Sequence, residues 1–545
     1  MMRLRRKNRE CRMKWIRGCL ITCLAGCLVF LPAGSEVTAL AAAESAEEEI
    51  VEEETAEAES TAVEAEDDTD TSDSSETIVL RICNWEEYID EGDWDDEEVI
   101  ELDNGASILG ENSMIEDFEE WYYETYGQKV EVEYSAFGTN EELYTLMSLG
   151  NEYDLVCPSD YMFMKLIAED KVLAYSDEFF DTSIETNYYI NNVSPFIKNI
   201  YDTNEINGEA WSKYAAGYMW GITGMVYDPE EVTAEEMSSL SILLSDDYNK
   251  QISIKDSSRD SYFMALAIYK QELLCSEEFT QSEDYSERLQ EEMNDVSSET
   301  IAGVEEILTQ VSRNAYSFET DSGKADIVAG KIVGNYQWSG DAVYSMDQAE
   351  EDDVYLEFAV PEECTNIWMD GWIMLKDGIG EDSAKQQAAE AFVNFISMPE
   401  NAVRNMYYIG YTSVIAGNED DTTMYEYANW CYASEDEEDV VEYPLGYFFS
   451  GDNTDEDYVV LVDEEEATRQ IFAQYPTEEV LERATIMEYY STEKMSELNQ
   501  MWINIRCFHI SDYPVGVWVA ILVAVAVVVL FCLRKRYVRT HQYER

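Results

Sequence analysis

Histidine is almost missing from this chain: two residues, His509 and His541, both near the C-terminal end. That argues against an iron or other histidine-rich metal centre. Basic residues are scarce as well, with 34 Lys and Arg against 116 Asp and Glu and a formal net charge of −82. Such a surface repels phosphate, which excludes nucleic acid as a default partner, and it leaves few groups to build an anion pocket. Cysteine is thinly spread. Of the 11 present, Cys11, Cys19, Cys23 and Cys27 fall in an N-terminal leader and Cys532 in a C-terminal apolar run. The other six, Cys83, Cys157, Cys275, Cys364, Cys431 and Cys507, lie far apart with no C-x-x-C pair. A disulfide-dense scaffold and a zinc knuckle are both disfavoured. Cys83 and Cys157 each end an apolar strand, and both a buried thiol pair and a disulfide fit that placement. There is no P-loop, nucleophile motif or metal-ligand spacing, so the chain reads as a binder without a cofactor rather than as an enzyme.

What is present begins with addressing signals. A basic cluster from Arg3 to Arg17 precedes an apolar stretch over 19–31, followed by small-x-small sites at 39–43, the pattern of a secretory leader over 1–43. Leu24-Ala25-Gly26-Cys27 resembles a bacterial lipobox, which offers lipidation at Cys27 as a second reading. Residues 44–76 are almost wholly Glu, Asp, Ser, Thr and Ala. They cannot bury enough apolar surface to fold, and an extended acidic tail is predicted. At the far end, a short linker over 507–514 leads to an uninterrupted apolar run over 515–533, followed by Arg534, Lys535, Arg536 and Arg539. Its length suits one transmembrane helix, and the positive-inside rule puts the basic tail 534–545 in the cytoplasm. A single-pass surface protein with its folded part, 77–506, outside the cell is expected.

Within that folded part, short apolar runs alternate with helical periodicities. Residues 78–83 read as a strand, 114–126 as a helix, 129–134 as a strand, 140–149 as a helix capped by Thr139, and 153–157 as a strand entering another helix. Residues 91–112 look like a loop insertion, 383–396 like a helix, and 443–506 like an acidic, mostly helical segment. This β-α order argues an open α/β sheet, where ligands bind beyond the carboxyl ends of the strands. Trp85, Tyr88, Ser159 and Tyr161 fall at such ends. Trp368 and Asp370 stand two apart in a strand-like run, so both side chains point to one side. A ring and a carboxylate on one wall suit a ligand with an apolar stem and a cationic end.

Seven stretches in order carry a resemblance. They are Asn84-Trp85-Glu86-Glu87-Tyr88; the run from Tyr134 through Asn140 and Glu141 to Tyr144; Asp154-Leu155-Val156-Cys157-Pro158-Ser159-Asp160-Tyr161; Asp256-Ser257-Ser258-Arg259-Asp260; Trp338-Ser339-Gly340-Asp341; Trp368-Met369-Asp370; and Gly410-Tyr411-Thr412. Together they resemble the spermidine/putrescine-binding proteins of bacterial ABC transporters, within the extracellular solute-binding protein family, over about 78–506. The resemblance implies a two-lobed α/β periplasmic-binding-protein fold with hinge crossovers. Lobe 1 would take about 77–222 and 369–413, and lobe 2 about 223–368 and 414–506. It implies polyamine contacts at Trp85, Tyr88, Ser159, Tyr161, Trp220, Asp260, Trp338, Trp368, Asp370 and Tyr411, with Asp370 central and Asp260, with Asp256 nearby, holding a terminal amine. Glu86, Asp256 and Asp341, acids within the same motifs, complete the candidate ligand-binding set. It implies an ABC permease, and through it an ATPase, as partners.

Some positions depart from the family pattern. Glu86 stands where the best-known members carry a small polar residue, Ser257 where some carry a second acid, and the family's C-terminal glutamine contact has no match near 483–488. Two further readings stay open: the same fold with another small cationic solute, and a surface sensor or adhesion protein.

Overall fold

The computed structural model describes residues 77–95, 98–434 and 440–507. The expected leader, acidic tail, C-terminal apolar run and basic tail lie outside the described residues. No helix among the described residues is long and apolar enough to cross a membrane.

The first lobe opens on a parallel βαβ arrangement. Strand β1 (Ile78–Trp85) leads through the hairpin-bearing stretch Ile100–Ile108 to helix α1 (Met114–Tyr126), then β2 (Val130–Phe137) and helix α2 (Asn140–Ser148). Ser113 starts α1 with a reciprocal capping box to Glu116, and Thr139 caps α2 by accepting from the Glu142 amide. Strand β3 (Leu155–Val156) runs into α3 (Asp160–Ala168), and β1 pairs in parallel with both β2 and β3. Cys83 on β1 and Cys157 just past β3 are buried free thiols.

Two long strands then tie the lobes together. Strand β4 (Ala215–Tyr227) is followed by β5 (Ile252–Lys255), helix α4 (Ser258–Leu274), β6 (Phe318–Glu319), β7 (Gly334–Trp338), helix α5 (Ser339–Glu350) and β8 (Thr365–Leu375). The sheet order is β6-β5-β7-β4-β8-β3-β1-β2. The near half of β4 pairs with the far half of β8, which in turn pairs with β3 of the first lobe. The far half of β4 pairs with β7 of the second lobe. Every residue of β4 and β8 is buried. Covered on both faces, these strands need no polar–apolar alternation, which is why they read as continuous apolar runs. Between Met369 and Gly371 the β4–β8 register shifts, so that Tyr218 and Met219 together oppose the single residue Asp370.

The chain closes with helices over Ser383–Ile396 and Pro399–Ile409, the short strand Thr412–Ser413 on β4, and helix Thr492–Cys507 against the second lobe. One expectation is refined and one is corrected. Residues 443–506 are helical over much of their length, as expected, but Val440–Pro444 and Val459–Asp463 add an antiparallel pair, and the helical turns before Thr492 are short. The signal for the pair was alternation, with Val460 and Val462 inward and Leu461 and Asp463 outward. Not all of 414–506 sits with the second lobe. Gly446–Phe449 packs on Pro195–Thr203 of the first, and Ser194 Oγ donates to the Phe448 carbonyl.

Candidate functional site

The shifted register on β8 aims Asp370 at the ends of two other elements. Tyr88, just past β1, donates its hydroxyl to Asp370 Oδ2 at 2.8 Å, and Ser159 Oγ donates to Oδ1 at 2.7 Å. Ser159 is the N-cap residue of α3, yet its side chain makes no cap bond. Forgoing that bond costs about 1 kcal/mol of helix stability, and the hydroxyl is spent on the carboxylate instead. Asp370 is 5% exposed and has no salt-bridge partner among the described residues. Burial pushes its carboxyl up to about 6, against the two hydrogen bonds that favour ionisation.

Rings close around this group. Tyr88 meets Tyr218 and Tyr411 edge-to-face at 5.5 and 5.3 Å. Trp368 lies 5.7 Å from Tyr411. Two glycines make room for the rings. A Cβ on Gly221 of β4 would stand 2.5 Å from the Trp368 ring, and one on Gly340 2.4 Å from the Tyr411 ring. Tyr411 donates a hydrogen bond from its hydroxyl to Asp341 Oδ1 at 2.9 Å, so a second carboxylate joins the cluster.

Asp341 sits in the first turn of α5, where the helix N-terminus favours an anion. Unlike Asp370 it is already paired: Lys255 Nζ stands 2.8 Å from Oδ2, and Lys324 Nζ 3.5 Å from Oδ1. Burial alone would raise its carboxyl, but the two ammonium groups overcome this and hold it at about 2. Trp338, immediately before α5, donates its indole N–H to Asp260 Oδ1 at 3.1 Å. Asp260 occupies the first turn of α4, its amide bonded to the Ser257 cap. Tyr161 lies under the Arg259 guanidinium at 4.7 Å, and its hydroxyl reaches Glu141 at 3.2 Å and Asn140 at 3.1 Å.

The structure therefore brings together Tyr88, Ser159, Trp368, Asp370, Tyr411 and Asp341, with Trp338 and, through its indole, Asp260 joined by Lys255; Tyr161 instead pairs with Arg259. It places others apart. Trp220 is fully buried, stacked on Phe448 at 5.6 Å and beside Phe196 at 5.5 Å. Strand alternation explains this: Gly221 faces Trp368, so Trp220 must face the opposite side of β4. Asp256 is bonded to Arg506 at 2.6 Å rather than to the cluster. Glu86 is exposed, and Trp85 packs on Phe137 at 4.7 Å.

Three groups at the site escaped sequence reasoning: Lys255, Arg259 as a cation, and Asp160. Asp160 is buried, receives the Met369 amide at 3.3 Å, and is pushed up to about 8 by burial, with Asp370 adding to the rise. The available signal was rarity: in so acidic a chain, a Lys and an Arg four residues apart at a strand-to-helix turn stand out.

Comparison with known proteins speaks to the fold and the family. The family model described as bacterial extracellular solute-binding protein matches residues 167–434. A putrescine/agmatine-binding protein of Pseudomonas aeruginosa is 21% identical over 208 residues, covering 37% of this chain and 51% of the relative. The chain thus spans about half the length of that curated relative. A solved spermidine/putrescine ABC transporter substrate-binding protein of Streptococcus pneumoniae superposes with a TM-score of 0.50 at 20% identity, over 79% of this chain and 99% of the other. A putative spermidine/putrescine ABC transporter protein of Listeria monocytogenes gives 0.52 at 19% identity, over 79% and 100%. The two solved structures bear out the two-lobed α/β fold, and the matches together bear out the resemblance read from the seven motifs. The Pseudomonas and Streptococcus proteins are both named as binding proteins.

Proposed function

We propose that this chain is the extracellular solute-binding component of an ABC importer, and that it takes a polyamine into the cleft between its lobes. The observation that carries the reading is Asp370: a buried carboxylate on a lobe-crossing strand, held by two hydroxyl donors, walled by Trp368, Tyr88 and Tyr411, and lacking a cation. A buried charge needs a partner. An ammonium group supplies one through a charge-assisted hydrogen bond, and a methylene stem lies well against the ring faces. The names of the relatives, which include putrescine, agmatine and spermidine, support the same chemistry. Low exposure of Asp370, Trp368, Asp341 and Asp260, between 5% and 8%, means that a ligand enters only when the lobes part. Closure then assembles the site, as in hinge-bending binding proteins.

On this reading the partner is a permease that accepts the closed, loaded form. The apolar run over 515–533 tethers the receptor beside it and raises its local concentration. The test is a tryptophan-fluorescence titration of the full chain with putrescine and spermidine, using arginine and Mg²⁺ as controls. Saturable changes with polyamines alone support the reading. Equal responses to all four cations, erased by moderate salt, overturn it.

A further inference from the structure

The cleft already contains an ammonium group of its own. Lys255 ends β5, is 1% exposed, and places Nζ 2.8 Å from Asp341 Oδ2, 3.5 Å from Glu319 Oε1 and 3.1 Å from the Thr320 carbonyl. The same nitrogen stands 4.1 Å above the Trp338 ring. A carboxylate pair, a carbonyl and an aromatic face are the groups that one amine of a polyamine would seek. Here the chain fills that place itself. The neighbouring ammonium of Lys324 covers the other Asp341 oxygen. Tyr411, which walls the Asp370 group, donates to that same oxygen. The self-occupied place is thus continuous with the open one.

Two carboxylates of the cluster keep no cation of their own. Asp370 and Asp260 have no salt bridge among the described residues, while Asp341 and Glu319 both face Lys255. Asp160 is pushed up to about 8 by burial and so holds its proton at neutral pH. The rings divide in the same way: Trp338 is covered by Lys255, whereas Tyr88, bonded to Asp370, continues into the rings of Tyr411 and Trp368.

We propose that Lys255 is a built-in occupant of one ammonium subsite, and that it makes the cleft selective for diamines over triamines and tetraamines. This rests on the polyamine reading of the site. The two ammonium groups of a diamine meet Asp370 and Asp260. A third would find its place filled by the Lys255 ammonium and the carboxylates there, Asp341 and Glu319, already engaged.

The test is calorimetry on the full chain with 1,3-diaminopropane, putrescine, cadaverine, spermidine and spermine. The wild-type chain is expected to bind its best diamine at least about tenfold more tightly than spermidine, a difference of 1.4 kcal/mol. In K255M the ratio moves toward spermidine by at least about the same factor. K255R, which keeps the cation, holds the wild-type preference. Wild-type protein that binds spermidine as tightly as any diamine overturns the inference. So does K255M with an unchanged ratio. If K255M does not fold, the wild-type series decides alone. Failure to bind any polyamine would instead overturn the functional reading on which this inference rests.

Discussion

Replacing Asp370 by asparagine should push affinity and stability in opposite directions. In the ligand-free protein the carboxyl is raised from the ordinary aspartate value of 3.8 to about 6. At 1.36 kcal/mol per unit, keeping it ionised at neutral pH costs the fold about 3 kcal/mol. Asparagine removes that cost. It also offers only one oxygen to two donors, Tyr88 and Ser159, and the lost hydrogen bond returns about 1 kcal/mol. The ligand-free variant should therefore be more stable than wild type by roughly 1–2 kcal/mol. The ligand loses a hydrogen bond to a charged group, worth about 1.5–3 kcal/mol, so affinity should fall by about 10- to 150-fold. Urea unfolding without ligand and calorimetry with putrescine, both at pH 7.4, measure the two effects. Unchanged affinity removes Asp370 from the site. Affinity and stability falling together would make it a structural residue and refute the reasoning.

Further outcomes follow from the same geometry. The carboxyls of Asp370 and Asp160 are both raised in the fold, to about 6 and about 8. The folded state therefore holds protons that the unfolded chain has released. Their contribution to ligand-free stability is fully present below about pH 4 and is lost as pH rises through 6 and then 8, a decline that thermal melts across this range should show. Binding runs the other way: an ammonium ligand needs Asp370 ionised, so affinity should weaken by about tenfold per unit below pH 6, and a flat profile would exclude the ionised carboxylate as the contact. Trp368→Leu should cost about 0.5–2 kcal/mol of binding, the worth of a ring face to a cation; full affinity in calorimetry would assign Trp368 to packing alone. Trp220→Leu should do the reverse. It breaks the stack on Phe448 and lowers stability by roughly 2–4 kcal/mol on the scale of large-to-small core changes, while affinity of the folded fraction stays at the wild-type value.

What could be read from the sequence was local. Strand-to-helix turns carry their own signals, so the β1, β3 and α4 junctions, and with them Tyr88, Ser159 and Asp260, were legible. The spacing of Trp368 and Asp370 was legible too, but the link between them runs through Tyr411 and Tyr88, which no local pattern shows. Trp220 shows where local reading fails. Which face of β4 looks into the cleft depends on the partner strand, and Gly221, not Trp220, is the residue that faces Trp368. The role of Lys255 is equally long-range: its carboxylate is 86 residues away, and nothing in its own neighbourhood announces that pair. The lobe assignment of Gly446–Phe449 rests on contacts with Pro195–Thr203, which no periodicity encodes. The antiparallel pair within 440–463 was readable from its alternation, but its acidic composition resembles that of the surface helices.

The most direct measurement is isothermal titration of the full chain with putrescine at low and at moderate salt. The account predicts saturable one-to-one binding that persists at moderate salt, since the carboxylate it engages is buried and weakly screened. Multiple weak sites that vanish with salt would mean that only the acidic surface was being titrated, and would contradict a built cationic cleft at Asp370.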